Sequence, residues 1–247
     1  MTAAEDAPVP VVDPTIDPAL LRRVHAEVLE PNFPATELTA LDEFVSAALD
    51  GKLDVLVAHA GHTPHGAISG AIVGERFGPA LLIAWLAVTP QQRSCGIGSA
   101  LLAAGSARWI SLPGVELVLA EIERPDVHRT HEQFGDPQRR LEFYTRAGAG
   151  ALVVPYYQPP IGAGMPRVRG LLLTVIAAAA PTPIPRTLTV GETAVVRDLI
   201  EATMGSAAMA DEETAAVFAA IEDPAGLRLI PLADYGDIPY EAVSPHS

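Results

Sequence analysis

Seven consecutive residues, Arg93-Ser94-Cys95-Gly96-Ile97-Gly98-Ser99, combine the ingredients of an anion site. Glycines at 96 and 98 let backbone N–H groups approach a ligand with no Cβ in the way. Ile97, Leu101, Leu102, Gly105 and Trp109 recur mostly at spacings of three and four, which predicts a helix opened by this loop. The start of a helix adds unsatisfied N–H donors and a partial positive charge, a combination suited to pyrophosphate. Two other phosphate loops do not fit. The nucleoside-triphosphatase loop ends Gly-Lys-Ser/Thr, and Gly98 is followed by Ser99 with no lysine. The dinucleotide fingerprint requires a third glycine where Leu101 stands, and an early parallel βαβ unit is also missing. Taken alone, the loop has one further alternative, a glycine-rich turn that holds nothing.

Other residues could move protons. Alternation along Val115–Glu123 puts Val115, Leu117, Leu119, Glu121 and Glu123 on one strand face. Glu121 is thus a candidate base, acting directly or through water; the alternative is a carboxylate solvated at the strand exit. Tyr144 lies in a predicted helix at about Pro137–Ala147 that stops at Gly148. Cys95, the one cysteine, excludes an internal disulfide and a thiolate-rich zinc site, and its place inside the loop reads as incidental. His59, His62 and His65 have a spacing that could hold a metal, but with no cysteine beside them a polar turn is the favoured reading and no metal site is expected. His128, His131 and Glu132 sit in a polar link and are either substrate contacts or surface loop. Tyr156 and Tyr157, on a predicted strand, would point to opposite faces, so only one could line a pocket. The Gln158-Pro159-Pro160 exit would shape the pocket mouth or form a rigid connection.

The elements that must position these groups follow from periodicity. Leu20, Leu21, Val24 and Val28 mark a first helix; Pro31 and Pro34 interrupt; Leu41, Phe44, Val45 and Leu49 mark a second. Val55–Ala60, Ala67–Val73 and Leu81–Val88 read as three antiparallel strands with short links, followed by the loop and its helix. Val115–Ile122, the tyrosine helix, Ala151–Tyr157 and Gly170–Ile176 complete an α/β, or α+β, series around a central mixed sheet. The Ala/Pro/Asp-rich stretch 1–18 reads as a loose leader. Pro181, Pro183 and Pro185 mark a connector. Beyond it, Thr189-x-x-Glu192 has capping-box spacing ahead of Val195, Val196, Leu199 and Ile200, and a second helix is predicted over Asp211–Ile221. The expected organisation is a leader at 1–18, a domain at 19–180 and a helical extension at 181–247. Those last helices would cover the sheet, cap the substrate mouth or form a homodimer surface, with ordinary packing as the default.

Composition sets bounds. The chain has 247 residues and 25.9 kDa, enough for one or two domains. It is 49% hydrophobic with mean hydropathy +0.26, ample for a buried core. Sixteen basic against 30 acidic residues give −14, which argues against phosphate-driven nucleic-acid binding. The longest apolar runs, Leu81–Val88 and Leu171–Ala180, are far short of the ~20 residues of a membrane span, and no basic-then-apolar signal opens the chain. The expectation is a soluble cytoplasmic protein.

Arg93-x-x-Gly96-x-Gly98, after a hydrophobic strand that follows several antiparallel strands, resembles the acetyl-coenzyme A (acetyl-CoA) loop of the GNAT superfamily of N-acetyltransferases. Leu141-Glu142-Phe143-Tyr144-Thr145-Arg146-Ala147-Gly148-Ala149 resembles that family's late helix, and the element order matches from about residue 19 to residue 177. The resemblance implies a GNAT-like fold: a mixed, mostly antiparallel sheet flanked by helices. It implies that Leu86, Ala87 and Val88 bind the pantetheine arm through their main chain. Arg93, Ser94, Cys95, Gly96, Ile97, Gly98 and Ser99 would bind the pyrophosphate, and Tyr144 would stand near the thioester sulfur as general acid. The implied activity is direct acetyl transfer from acetyl-CoA to an amine, with a small molecule favoured over a protein as acceptor and Glu121 as candidate base. The sequence departs from the family pattern at Pro137, Arg140 and Ala149, and the Leu81–Val88 strand carries no carboxylate. These departures support the rival reading, a non-catalytic CoA-binding module for regulation or assembly.

Overall fold

The computed structural model describes residues 11–35, 37–60, 66–131, 135–160, 164–180 and 183–240. His62, His65, Glu132 and Pro181, the stretch 1–10 and the tail from 241 lie outside the described residues. The chain forms two compact units, one of residues up to 76 with 83–108, the other of 77–82 with residues from 109 onward. Among the described residues no helix is long and apolar enough to cross a membrane.

In the first unit the strands run in the order β1 (Val11–Thr15), β2 (Leu53–His59), β3 (Ile68–Phe77) and β4 (Ala80–Val88), the last two only in part. β1 corrects the loose-leader expectation: residues 11–15 pair antiparallel with β2, Val11 opposite His59 and Thr15 opposite Val55. Pro14 is tolerated there because an edge strand needs donors on one side only. Helix α1 (Pro18–Val24) starts where Asp17 accepts from the Ala19 N–H, with proline at the first position, whose missing N–H costs nothing there. It runs on into one π-helical turn, His25–Leu29, and α2 (Leu41–Leu49) follows. Leu21, Val24, Val28, Leu29, Phe44 and Val45 pack with Val55, Val57, Val73 and Trp85 into one apolar cluster. Phe44 meets Trp85 edge-on at 6.1 Å, and the Trp85 indole donates to the Glu37 carbonyl at 3.0 Å. Helix α3 (Ile97–Ile110) follows β4 after one 3-10 turn at Pro90–Gln92.

The second unit is built on β5 (Leu117–Glu123), β7 (Leu171–Ala178), β6 (Gly150–Leu152), β9 (Arg228–Pro231) and β8 (Arg186–Thr187), in that spatial order. Each of these neighbouring pairs is antiparallel. Helices α4 (Pro137–Arg146), α5 (Val190–Met204) and α6 (Glu212–Ile221) complete it, with a 3-10 segment at Leu232–Asp237. Leu117, Leu119, Leu173 and Val175 share a cluster with Val195, Leu199, Val217 and Phe218, so the C-terminal helices cover one strand face. Truncating a leucine in such an enclosure costs about 2–5 kcal/mol. The capping box is present: Thr189 Oγ1 accepts from the Glu192 N–H at 3.2 Å, and the Glu192 carboxylate accepts from the Thr189 N–H at 2.9 Å.

Three expectations change in this unit. The predicted Ala151–Tyr157 strand shrinks to the three residues of β6, because the chain turns sharply at Val154 and Tyr156, whose N–H groups donate to Leu152 and Val154 carbonyls. The strand predicted from Val115 begins at Leu117. The extension adds two strands as well as helices, and residues 183–240 share their unit with β5, β6 and β7.

Candidate functional site

In the first unit β4 delivers the chain to the glycine loop with Ala87 buried and Leu86 and Val88 half-buried. Two contacts fix this exit. Thr89 donates to the Ser69 carbonyl through its N–H at 2.8 Å and its hydroxyl at 3.2 Å. Gly70 faces β4 so closely that a Cβ there would lie 2.7 Å from the Ala87 carbonyl oxygen. Sequence reading passed over Gly70, since a glycine inside a strand says nothing of which backbone approaches it.

The loop itself is shaped by backbone conformation. Ser94 has φ 66°, and it is the one non-glycine among the described residues with positive φ; Gly96 has φ 77°. A serine held in the left-handed region carries a local conformational cost and so points to a site where the backbone direction matters. A Cβ on Gly96 would meet nothing within 4 Å, so the demand at 96 is conformational. Arg93, Ser94, Cys95, Gly96 and Ser99 are exposed, Ile97 is buried as an anchor and Gly98 is half-buried. Ile97 starts α3, a helix of 14 residues whose first-turn N–H groups have no intrahelical acceptors. The thiol of Cys95 is exposed and lies 3.7 Å from the Arg93 carbonyl oxygen. Backbone donors, a helix start and an exposed guanidinium suit a diphosphate.

The second unit holds the two candidate proton-handling groups on different elements. Tyr144 is on α4, whose start is fixed by Asp136 accepting from the Gln138 N–H. Its ring packs edge-on against Phe143 with centroids 5.0 Å apart. Burial pushes its phenol up to about 12, against the opposing charge of Arg140. Tyr144 therefore holds its proton at any working pH.

Glu121 is neither free nor simply solvated. Its Oε1 accepts from the Tyr156 hydroxyl at 2.5 Å and its Oε2 from the Gln158 amide at 3.0 Å. Burial pushes the Tyr156 phenol well above the ordinary tyrosine value, and the charge of Glu121 adds to it, so Tyr156 stays a donor. Tyr157 joins Tyr156 in one cluster rather than facing away from it, because the turns at 154–156 break the strand alternation. The Tyr157 hydroxyl lies 2.5 Å from Thr214 Oγ1, which donates to Asp211 at 2.7 Å. Arg167 lies 4.5 Å over the Tyr157 ring and pairs with Asp211 and Glu213, and Arg169 grips the same glutamate at 2.7 and 2.9 Å. Asp211 is held well below the usual carboxylate range by its bond from Arg167. For Glu213 burial works upward, yet the bonds from Arg169 and Arg167 prevail and its pKa is lowered.

Glu123 faces Arg140 at 2.7 Å and His128 at 3.7 Å, and the other nitrogen of His128 lies 2.7 Å from the Arg169 carbonyl oxygen. His131 pairs with Gly135 across a small bridge, and His59 is buried at the end of β2. None of the side-chain hydrogen bonds of Glu121 and Tyr157 was legible, since they span 35 to 57 residues. Arg124 was also missed: 4% exposed, it donates to Asp126 and to the Ile238 carbonyl and lies 5.5 and 5.3 Å from the rings of Tyr235 and Tyr240.

No protein-family model matches the chain, and no curated protein does either. Solved structures do. An acetyltransferase assigned to the GNAT family from Bacteroides thetaiotaomicron superposes with a TM-score of 0.56 at 21% identity, over 79% of this chain and 99% of that one. An aminoglycoside 6'-N-acetyltransferase complexed with coenzyme A superposes with a TM-score of 0.50 at 14% identity, over 70% of this chain and 99% of that one. At such identities the likeness is one of fold, and it agrees with the helix–strand order, the mostly antiparallel strands and the flanking helices described above. The chain has the fold of the GNAT superfamily of acetyltransferases.

Proposed function

We propose that this protein is an acetyl-CoA-dependent N-acyltransferase that moves an acetyl group directly from the thioester to the amine of a small molecule. The observation that carries the reading is the loop from Arg93 to Ser99, with left-handed backbone at Ser94 and Gly96 and a 14-residue helix behind it. The structural relative named as an aminoglycoside 6'-N-acetyltransferase in complex with coenzyme A supports both the thioester donor and a small-molecule acceptor.

In this reading the main chain of Leu86, Ala87 and Val88 holds the pantetheine arm, and Arg93 through Ser99 hold the pyrophosphate. Binding so many donors to the unreactive end places the thioester carbonyl for in-line attack, which converts remote binding energy into orientation. The amine nitrogen attacks the carbonyl carbon, the C–S bond breaks, and the amine's proton must leave. Glu121 takes that proton directly or through water, with Tyr156 and Gln158 fixing both of its oxygens. Tyr144 gives a proton to the departing sulfur. A phenol at about 12 does this uphill against a thiol of pKa near 8–9. The step costs ~4–5 kcal/mol, well within an enzymic barrier.

A non-catalytic CoA-binding module is the second reading, and the doubly occupied carboxylate of Glu121 is the observation on its side. Calorimetric titration with acetyl-CoA, CoA and NAD in parallel tests the donor. Micromolar binding of both coenzyme A species and none of NAD is expected; no binding of either coenzyme A species would end both readings. Release of free thiol from acetyl-CoA across a panel of amines then separates enzyme from module.

A further inference from the structure

The guanidinium of Arg93 is held in an unusual way. Its Nη2 donates at 2.7 Å to Oδ1 of Asn32, in the chain just beyond the π-helical turn. The Asn32 amide is oriented from its other end, where Nδ2 donates to the Val28 carbonyl at 2.7 Å. The backbone there is pinned too, since the Asn32 and Phe33 N–H groups both donate to the Leu29 carbonyl. Val28 and Leu29 are fully buried, so the anchor is rigid. Among the described residues Arg93 makes no ion pair, although 11 other arginines each face a carboxylate. A neutral amide oxygen can aim a guanidinium without cancelling its charge, which a carboxylate in the same place would do.

We propose that Asn32 is a positioning residue for the anion loop, holding Arg93 in place with its positive charge uncompensated so that the charge meets the diphosphate of the incoming thioester. The inference rests on the function proposed above and assigns to the end of the π-helical turn a part in donor binding. Guanidinium has five N–H donors, and the bond to Asn32 uses one. The others remain for phosphate oxygens.

Asn32→Asp keeps the size of the side chain and introduces the carboxylate that the wild type avoids; Asn32→Ala removes the anchor and leaves the charge. For Asn32→Asp the affinity for CoA falls at least tenfold and loses most of its dependence on salt; for Asn32→Ala it falls a few fold with the salt dependence retained. S-acetylpantetheine, which lacks the diphosphate, is the control: its affinity stays within twofold of wild type in both variants, a result a general packing defect would not give. If the wild type binds CoA and Asn32→Asp binds it equally well, or if the affinities for CoA and S-acetylpantetheine suffer alike, the role of Asn32 is overturned and the acyltransferase reading stands. If the wild type binds no CoA at all, both fall.

Discussion

The two units hold their candidate groups by opposite means. In the first, the loop 93–99 is a matter of backbone: exposed side chains, two residues with positive φ, and one amide steering one guanidinium. In the second, Glu121, Tyr156, Gln158, Tyr157, Thr214, Asp211, Arg167 and Glu213 fill one another's hydrogen-bonding capacity across four segments of chain. A loop made from N–H groups tolerates changes of side chain and resists changes of conformation. A network of side chains has the reverse sensitivity, because removing one member strands its buried partners.

That contrast can be broken. The largest expected effect is Tyr144→Phe, with turnover of acetyl-CoA lowered by roughly 10²–10³-fold and CoA affinity by titration unchanged. Equal losses in both would tie the second unit to donor binding and blur the distinction. Arg124→Ala removes a buried guanidinium from Asp126, the Ile238 carbonyl and two tyrosine rings, and thermal unfolding should report a loss of about 3 kcal/mol. Tyr144 also gives a pH signature. Its pKa is raised from 10 to about 12 in the folded state, so its contribution is complete below pH 10 and is lost as pH rises toward 12. Denaturant midpoints measured over that range should fall by the equivalent of up to about 3 kcal/mol, and Tyr144→Phe should flatten that part of the curve.

Smaller effects sharpen the other half. Gly96→Ala has room for its methyl but must keep φ at 77°, so stability should drop by about 1 kcal/mol while CoA affinity drops several fold. Cys95→Ser, one position earlier and exposed, should leave turnover and CoA affinity within twofold of wild type. A large effect there would mean that the thiol takes part in the chemistry.

Legibility followed the same division. The glycine loop and its helix could be read because spacing and periodicity are local, and the capping box at Thr189 for the same reason. Alternation put Glu121 on the face of Leu117 and Leu119, and the register sets it opposite Leu173, a member of the cluster that the C-terminal helices cover. It failed at Tyr156 and Tyr157, where Pro155 and two sharp turns end the strand after Leu152. β1 was hidden by Asp13 and Pro14, residues that an edge strand admits and a pattern search rejects. β8 and β9, at two and four residues, are too short for alternation to register. The bond between Asn32 and Arg93 spans 61 positions and is invisible to any window along the chain.

The short strand β6 has one neighbour, β7, from the stretch before the prolines, and the other, β9, from residues 228–231. While the ribosome is still making the segment between, β6 has an open edge whose N–H and C=O groups face no partner strand. Such an edge recruits other chains. A protein shortened to end near residue 180 would carry that edge permanently, together with the uncovered apolar face of β5 and β7, and would accumulate as aggregate rather than as a trimmed, folded protein. The segment from 183 to 231 thus acts as a built-in guard against self-association, completed only once β9 has been made.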